Sequence, residues 1–130
     1  MEILNVSTEN VDGVTVIECN GTLKKIHEDL LNNLLENSFV QGAKGILFDW
    51  SNVTYFDSMG LECLIGIHKK NQKYYLGPIA VLITNPVLSK TYKVLRFDML
   101  IPLFNNKKKA LASLQKSISQ LKPSRKLSAS

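Results

Sequence analysis

Cysteine is scarce in this 130-residue chain: Cys19 and Cys63 stand far apart and form no CxxC pair. That usage points to two buried, reduced thiols of a cytoplasmic protein rather than to a disulfide. Long hydrophobic runs are missing too, since no apolar stretch approaches the ~18–20 residues that a membrane-spanning helix requires. The opening residues, MEILNVSTEN, carry an early acid and lack a basic region followed by an apolar core, which argues against a signal peptide. No Walker A loop, GxGxxG turn or GxSxG elbow is present. His27 and His68 fall on separate predicted helices, with no Cys or carboxylate at metal-ligand spacing, so no metal site is expected. His27 reads as a helix-surface residue and His68 as a residue at the edge of the core. Asp49 could suggest a phospho-accepting aspartate. Such a site needs further acids after the first strand to hold Mg²⁺, and ILNVSTEN offers no such pair. Asp49 therefore reads as a strand-end residue, solvated or bonded to backbone. Without a convergent set of reactive groups, the chain is expected to be no enzyme and to carry no cofactor.

Acidic residues are absent from the last part of the chain, and this locates the net charge of +5. Residues 1–106 hold nine Lys/Arg against eleven Asp/Glu, a net of −2, and residues 107–130 hold seven Lys/Arg and no acid, a net of +7. The body is mildly acidic and the basic excess is terminal. A basic tail can touch nucleic acid or anionic lipid. A solvated helix face followed by a frayed end accounts for it as well, so neither direct nucleic-acid binding nor stable membrane association is expected.

What is present suffices for one domain with a single core, at 45% hydrophobic and 21% charged residues. Residues 2–8 and 13–20 read as strands joined by the turn signal Asp12-Gly13, an antiparallel hairpin. Gly21-Thr22 breaks the second strand and leads to a helix over 23–38, with Leu23, Ile26, Leu30, Leu31, Leu34 and Leu35 at helical spacing. A buried strand follows at 46–50, then a short polar link and a helix over 58–74. Gly77-Pro78 turns into the apolar strand Ile79 to Ile83, suited to the centre of a parallel sheet. Asn85 as N-cap and Pro86 at the first helical position open a helix to about Leu95. A short strand at Leu100 to Leu103 precedes an amphipathic helix from Asn105, with Ala110, Leu111, Leu114, Ile118 and Leu121 inward. Pro123 ends it, giving a domain over 1–121 and a disordered basic tail over 122–130. The order β-β-α-β-α-β-α-β-α implies an α/β fold with a mixed, mostly parallel sheet and an antiparallel N-terminal hairpin.

The stretch from Lys44 to Tyr75, KGILFDWSNVTYFDSMGLECLIGIHKKNQKYY, organises the rest. Asp57 suits the N-cap of the second helix, and Phe56 and Leu61 occupy the positions of a hydrophobic staple. Ser58, Met59 and Gly60 then lie at the positive end of a helix dipole, where a binding face or a phosphate would sit. On a helical wheel Gly60, Leu61, Leu64, Ile67 and His68 share one side, whereas Ser58, Glu62, Lys69 and Lys73 share the other. Ser58 should face solvent or a partner, and Met59 should be partly exposed. Tyr55, Phe56 and Met59 at one turn would suit a protein contact.

FDSMGLECL resembles the signature of STAS domains, and of bacterial anti-sigma factor antagonists in particular. Asp57, Ser58, Gly60 and Leu61 match the Asp-Ser-Ser/Thr-Gly-Leu motif as it stands, and the element order agrees over roughly residues 2–121. The resemblance implies a STAS-like fold and a non-enzymatic regulatory module that binds an anti-sigma factor or related serine kinase through Asp57, Ser58, Met59, Gly60 and Glu62. It also implies that the hydroxyl phosphorylated by that kinase belongs at the position of Met59, which cannot accept phosphate, leaving Ser58 as the nearest substitute. The alternative it implies is an accessory module for a transport complex, or one binding a nucleotide or lipid-type ligand. The sequence leaves the oligomeric state open.

Overall fold

The computed structural model describes residues 4–129, with side chains through residue 120. Strand β1 (Leu4–Val11) folds back on β2 (Val14–Leu23) as an antiparallel hairpin. The connection is the two-residue turn Asp12-Gly13, whose φ angles of 50° and 91° are both positive. Such a turn matches the twist of the strands it joins, and Asp-Gly tolerates it well. A 3-10 turn at Lys25–His27 leads to α1 (Glu28–Val40) and then to β3 (Gly45–Phe56). Next come α2 (Ser58–Leu61), α3 (Cys63–Tyr74), β4 (Ile79–Leu82) and α4 (Pro86–Val94). A second 3-10 turn at Phe97–Met99 precedes β5 (Leu103–Phe104) and α5 (Lys107–Ala129). Among the described residues no helix is long and apolar enough to cross a membrane.

The strands lie in the sheet in chain order, β1-β2-β3-β4-β5, and every pair after the hairpin is parallel. This is the mixed, mostly parallel α/β architecture expected from the alternation of elements. Because side chains alternate across a strand, β3 feeds two cores. Ile46, Phe48 and Trp50 join Leu31 and Leu35 of α1, Leu64 and Ile67 of α3, and Leu88 and Tyr92 of α4 on one face. Leu47 joins Val14, Val16, Ala80, Leu82 and, from α5, Ala110 and Leu114 on the other. Both cysteines are free and buried, and burial pushes the Cys19 thiol up to about 12 and the Cys63 thiol up to about 11.

Several boundaries differ from the sequence reading, each for a tertiary reason. β2 does not stop at Gly21-Thr22. Gly21 takes a positive φ of 117° inside the strand, the register shifts there, and pairing resumes from Thr22↔Tyr55 to Leu23↔Phe56. β3 likewise runs through the expected polar link, because Ser51 to Phe56 has a strand to pair with. The first helix therefore begins at Glu28 rather than 23, and Ile26, expected inward, is 80% exposed. Leu30, expected inward, is 37% exposed. His27 is buried, not on a helix surface, with Nδ1 accepting a 2.9 Å hydrogen bond from the Lys24 N–H. Asp49 lies buried within β3, not at its end. Its Oδ1 accepts from the Ser51 N–H at 3.0 Å and the Ser51 hydroxyl at 2.5 Å. The strand expected at 100–103 is instead Leu103–Phe104.

The α5 backbone continues past Pro123 to Ala129, whereas the sequence reading ends it at Leu121. The inward placement of Leu121 falls outside the residues whose side chains are described. That residues 122–130 form a dispensable tail is a proposal. Truncation after Leu121 is expected to leave the melting temperature within about 2 °C of the full chain. A larger drop in a calorimetric scan would show that those residues pack on the domain.

Candidate functional site

The turn after β3 is built by two residues and presented by others. Asp57 has extended backbone and caps α2, its Oδ1 accepting from the Gly60 N–H at 2.9 Å. The carboxylate thus satisfies a backbone donor that helix geometry leaves free. Gly60 is fixed by space: a Cβ there would lie 2.4 Å from the Leu23 carbonyl oxygen at the end of β2. Phe56 and Leu61, on either side of the cap, are both buried in the same core, as the staple requires. The Phe56 ring also stacks at a tilt on Trp50, with centroids 5.9 Å apart. Asp57 and Gly60, two of the five residues expected to bind a partner, therefore hold the turn in place.

The outward side is more apolar than a solvated loop. Ser58 is exposed, Met59 is 58% exposed and Tyr55 is 53% exposed. Glu62, where the expected continuous helix divides into α2 and α3, is half-exposed and not free. Its carboxylate pairs with Lys25 Nζ at 2.9 Å, and that lysine lies 3.7 Å from Glu28. The hydrogen bond that the Lys25 ammonium donates to the Glu62 carboxylate holds the lysine pKa above its usual range. The 3-10 turn packs against α2 and brings the exposed Ile26 to this end of the domain. The Lys24 carbonyl accepts from the Cys63 thiol at 3.6 Å, a second tie between that turn and α3.

Sequence reasoning placed Ser58, Met59 and Glu62 correctly on the outside but missed Lys25 and Ile26. One signal was available: adjacent lysines in a helix first turn oppose the helix dipole, which argues against a helix beginning at 23. His68 sits on α3 beside a cavity lined also by Gln72, Tyr75, Leu100 and Pro102, to which none of the α2 residues contributes. Among the described residues no group of three His, Cys, Asp or Glu side chains could hold a metal ion.

The close approach of Gly60 to Leu23 yields a test. Gly60→Ala should cost about 1–3 kcal/mol or more by overpacking against a backbone atom, whereas Ser58→Ala should stay within about 0.5 kcal/mol. Urea unfolding of the two variants separates them, and equal midpoints would show that the turn is not docked on β2.

The STAS domain family model matches this chain over residues 5–110. Among curated proteins none matches. Solved structures share the fold. An anti-sigma factor antagonist from Mycobacterium paratuberculosis is 21% identical, with a TM-score of 0.73 over 87% of this chain and 95% of that one. The anti-sigma factor antagonist SpoIIAA in its unphosphorylated form is 17% identical, with a TM-score of 0.65 over 86% of this chain and 97% of that one. A sulfate transporter family protein from Wolinella succinogenes is 18% identical, with a TM-score of 0.71 over 85% and 92% of the two chains. With the family model covering most of its length and the Asp57–Leu61 turn built as described, this chain belongs to the STAS domain family.

Proposed function

We propose that this protein is a non-enzymatic regulatory module, similar to an anti-sigma factor antagonist, that binds an anti-sigma factor or related serine kinase through the α2 turn. The observation that carries this reading is the division of labour within that turn. Asp57 and Gly60 lock it to the end of β2, while Met59 on the turn, Tyr55 just before it and Ile26 on the 3-10 turn packed against α2 are exposed, and Lys25 and Glu62 pair between those two turns. Exposed aromatic, Met and aliphatic side chains beside a capped turn are of the kinds enriched in protein contacts. Likeness to anti-sigma factor antagonists supports the class of partner.

Likeness to a sulfate transporter family protein favours a second reading, an accessory domain of a transport complex. A nucleotide-binding role draws less support. The strands follow chain order without a reversal, so the sheet lacks the switch point at which open α/β sheets form a ligand crevice.

Met59→Asp adds a charge at a first-turn position that tolerates acids, so the fold should persist. Binding to the partner kinase should weaken at least about tenfold, or ~1.4 kcal/mol, in a titration. Unchanged affinity would remove this surface from consideration.

Because Met59 has no hydroxyl, the proposed module lacks the family's phosphate switch at this turn. Ser58 precedes it by about 100° around the helix and would have to meet a kinase differently. Incubation with kinase and ATP, read by mass spectrometry of the peptide from Asp57 to Lys69, should leave the native chain unmodified and modify Met59→Ser. Efficient phosphate incorporation at Ser58 would overturn this part of the reading.

A further inference from the structure

The two edges of the sheet differ in how they are protected. β5, at one edge, has only two residues and follows Pro102, so it offers almost no backbone for pairing. β1, at the other, has eight residues, LNVSTENV, paired to β2 in unbroken register from Leu4↔Gly21 to Val11↔Val14. Proteins blunt exposed edge strands with charged side chains (lysine above all), proline, bulges or shortness; β1 has no lysine, proline or bulge and a single charge, Glu9, which Lys107 of the same chain pairs. Among the described residues nothing pairs with its outer side.

The hairpin tells which backbone groups are free. In a two-residue turn of this type the residues flanking the turn exchange both of their hydrogen bonds, and the pattern then alternates along the strand. Val11, Glu9, Ser7 and Asn5 therefore point their N–H and C=O groups at β2. Asn10, Thr8 and Val6 point theirs outward.

We infer that β1 is a dimer interface, its occupant the β1 strand of a second copy of this chain. Antiparallel pairing about a two-fold axis through Thr8 sets Thr8 opposite Thr8, Val6 opposite Asn10 and Ser7 opposite Glu9. All the outward residues then fall on hydrogen-bonded positions. Glu9, the only charge of the strand, meets a serine rather than its own copy. It is also held in an ion pair with Lys107 of its own chain at 3.0 Å, which offsets repulsion between the two copies. The contact is isologous and closes at two chains. Growth beyond two is blocked because the outer edges of the joined sheet are the short β5 strands. This surface does not depend on the partner proposed for the α2 turn.

The experiment is sedimentation velocity of the full chain from about 1 µM to about 1 mM, the range in which weak edge pairing is measurable. A concentration-dependent shift from one chain to two is expected. Thr8→Pro removes an outward N–H without touching a bond to β2. Thr8→Lys places two like charges on the axis and keeps the fold should proline disturb it. Each should raise the dimer dissociation constant at least about tenfold. The dimer should survive truncation after Leu121. A monomer at every concentration, a dimer indifferent to both Thr8 variants, or a dimer lost on truncation overturns the inference.

Discussion

Much of this structure depends on the parallel pairing of β2 with β3 beyond the bulge at Gly21. The glycine accepts a left-handed backbone angle that other residues reach only with strain, and the register slips there without ending the ladder. Leu23 and Phe56 then close the pairing at the same level. From that level the chain leaves β3 into the Asp57 cap, and the Leu23 carbonyl becomes the surface against which Gly60 packs. Had β2 ended at Gly21, neither the docking site for α2 nor the 3-10 turn beside it would exist. The ladder thus sets the position of the turn, and the turn sets what it can present.

Stability and presentation are divided among different residues here. Leu61, Leu64, Ile67 and Phe56 are buried in the larger core, and removal of such side chains from a core commonly costs a few kcal/mol. The ion pair of Lys25 with Glu62 is half-exposed to solvent, which screens it, so it adds little to stability. Its effect is geometric. It fastens a segment from one side of the turn to the helix on the other, so that Ile26, Tyr55 and Met59 share one end of the domain. A partner meeting that end would encounter a surface already ordered, with little loop entropy left to lose on binding.

The same arrangement bears on regulation. A charge added at Met59 would lie at a helix start, where negative charge is tolerated. A switch at that position would therefore act on the contact and leave the fold alone. A thioether there keeps the position apolar and half-exposed, which suits the contact surface proposed for this turn.

The order of elements and the capped turn were legible in the sequence because they rest on local chemistry, whereas the division of the expected single core into two faces was not. Asp12-Gly13 makes its hairpin through backbone angles that those residues tolerate, Asn85-Pro86 caps α4, and Asp57 caps α2 with its own carboxylate. The apolar run Ile46 to Phe48 marked a buried strand, and the periodicity of the second helix indicated the side that packs inward. Tertiary structure decided the rest. Ser51 to Phe56 is polar enough to read as a link and is a strand because β2 lies beside it. Ile26 keeps helical spacing with Leu30 and is exposed because Leu23 went to the sheet. Glu62 is paired, His27 is buried and Gly60 has no room for a side chain for the same reason. Each answers to an atom on a segment more than thirty residues away or to a turn of the chain that local pattern does not encode, and only the folded ladder brings them together.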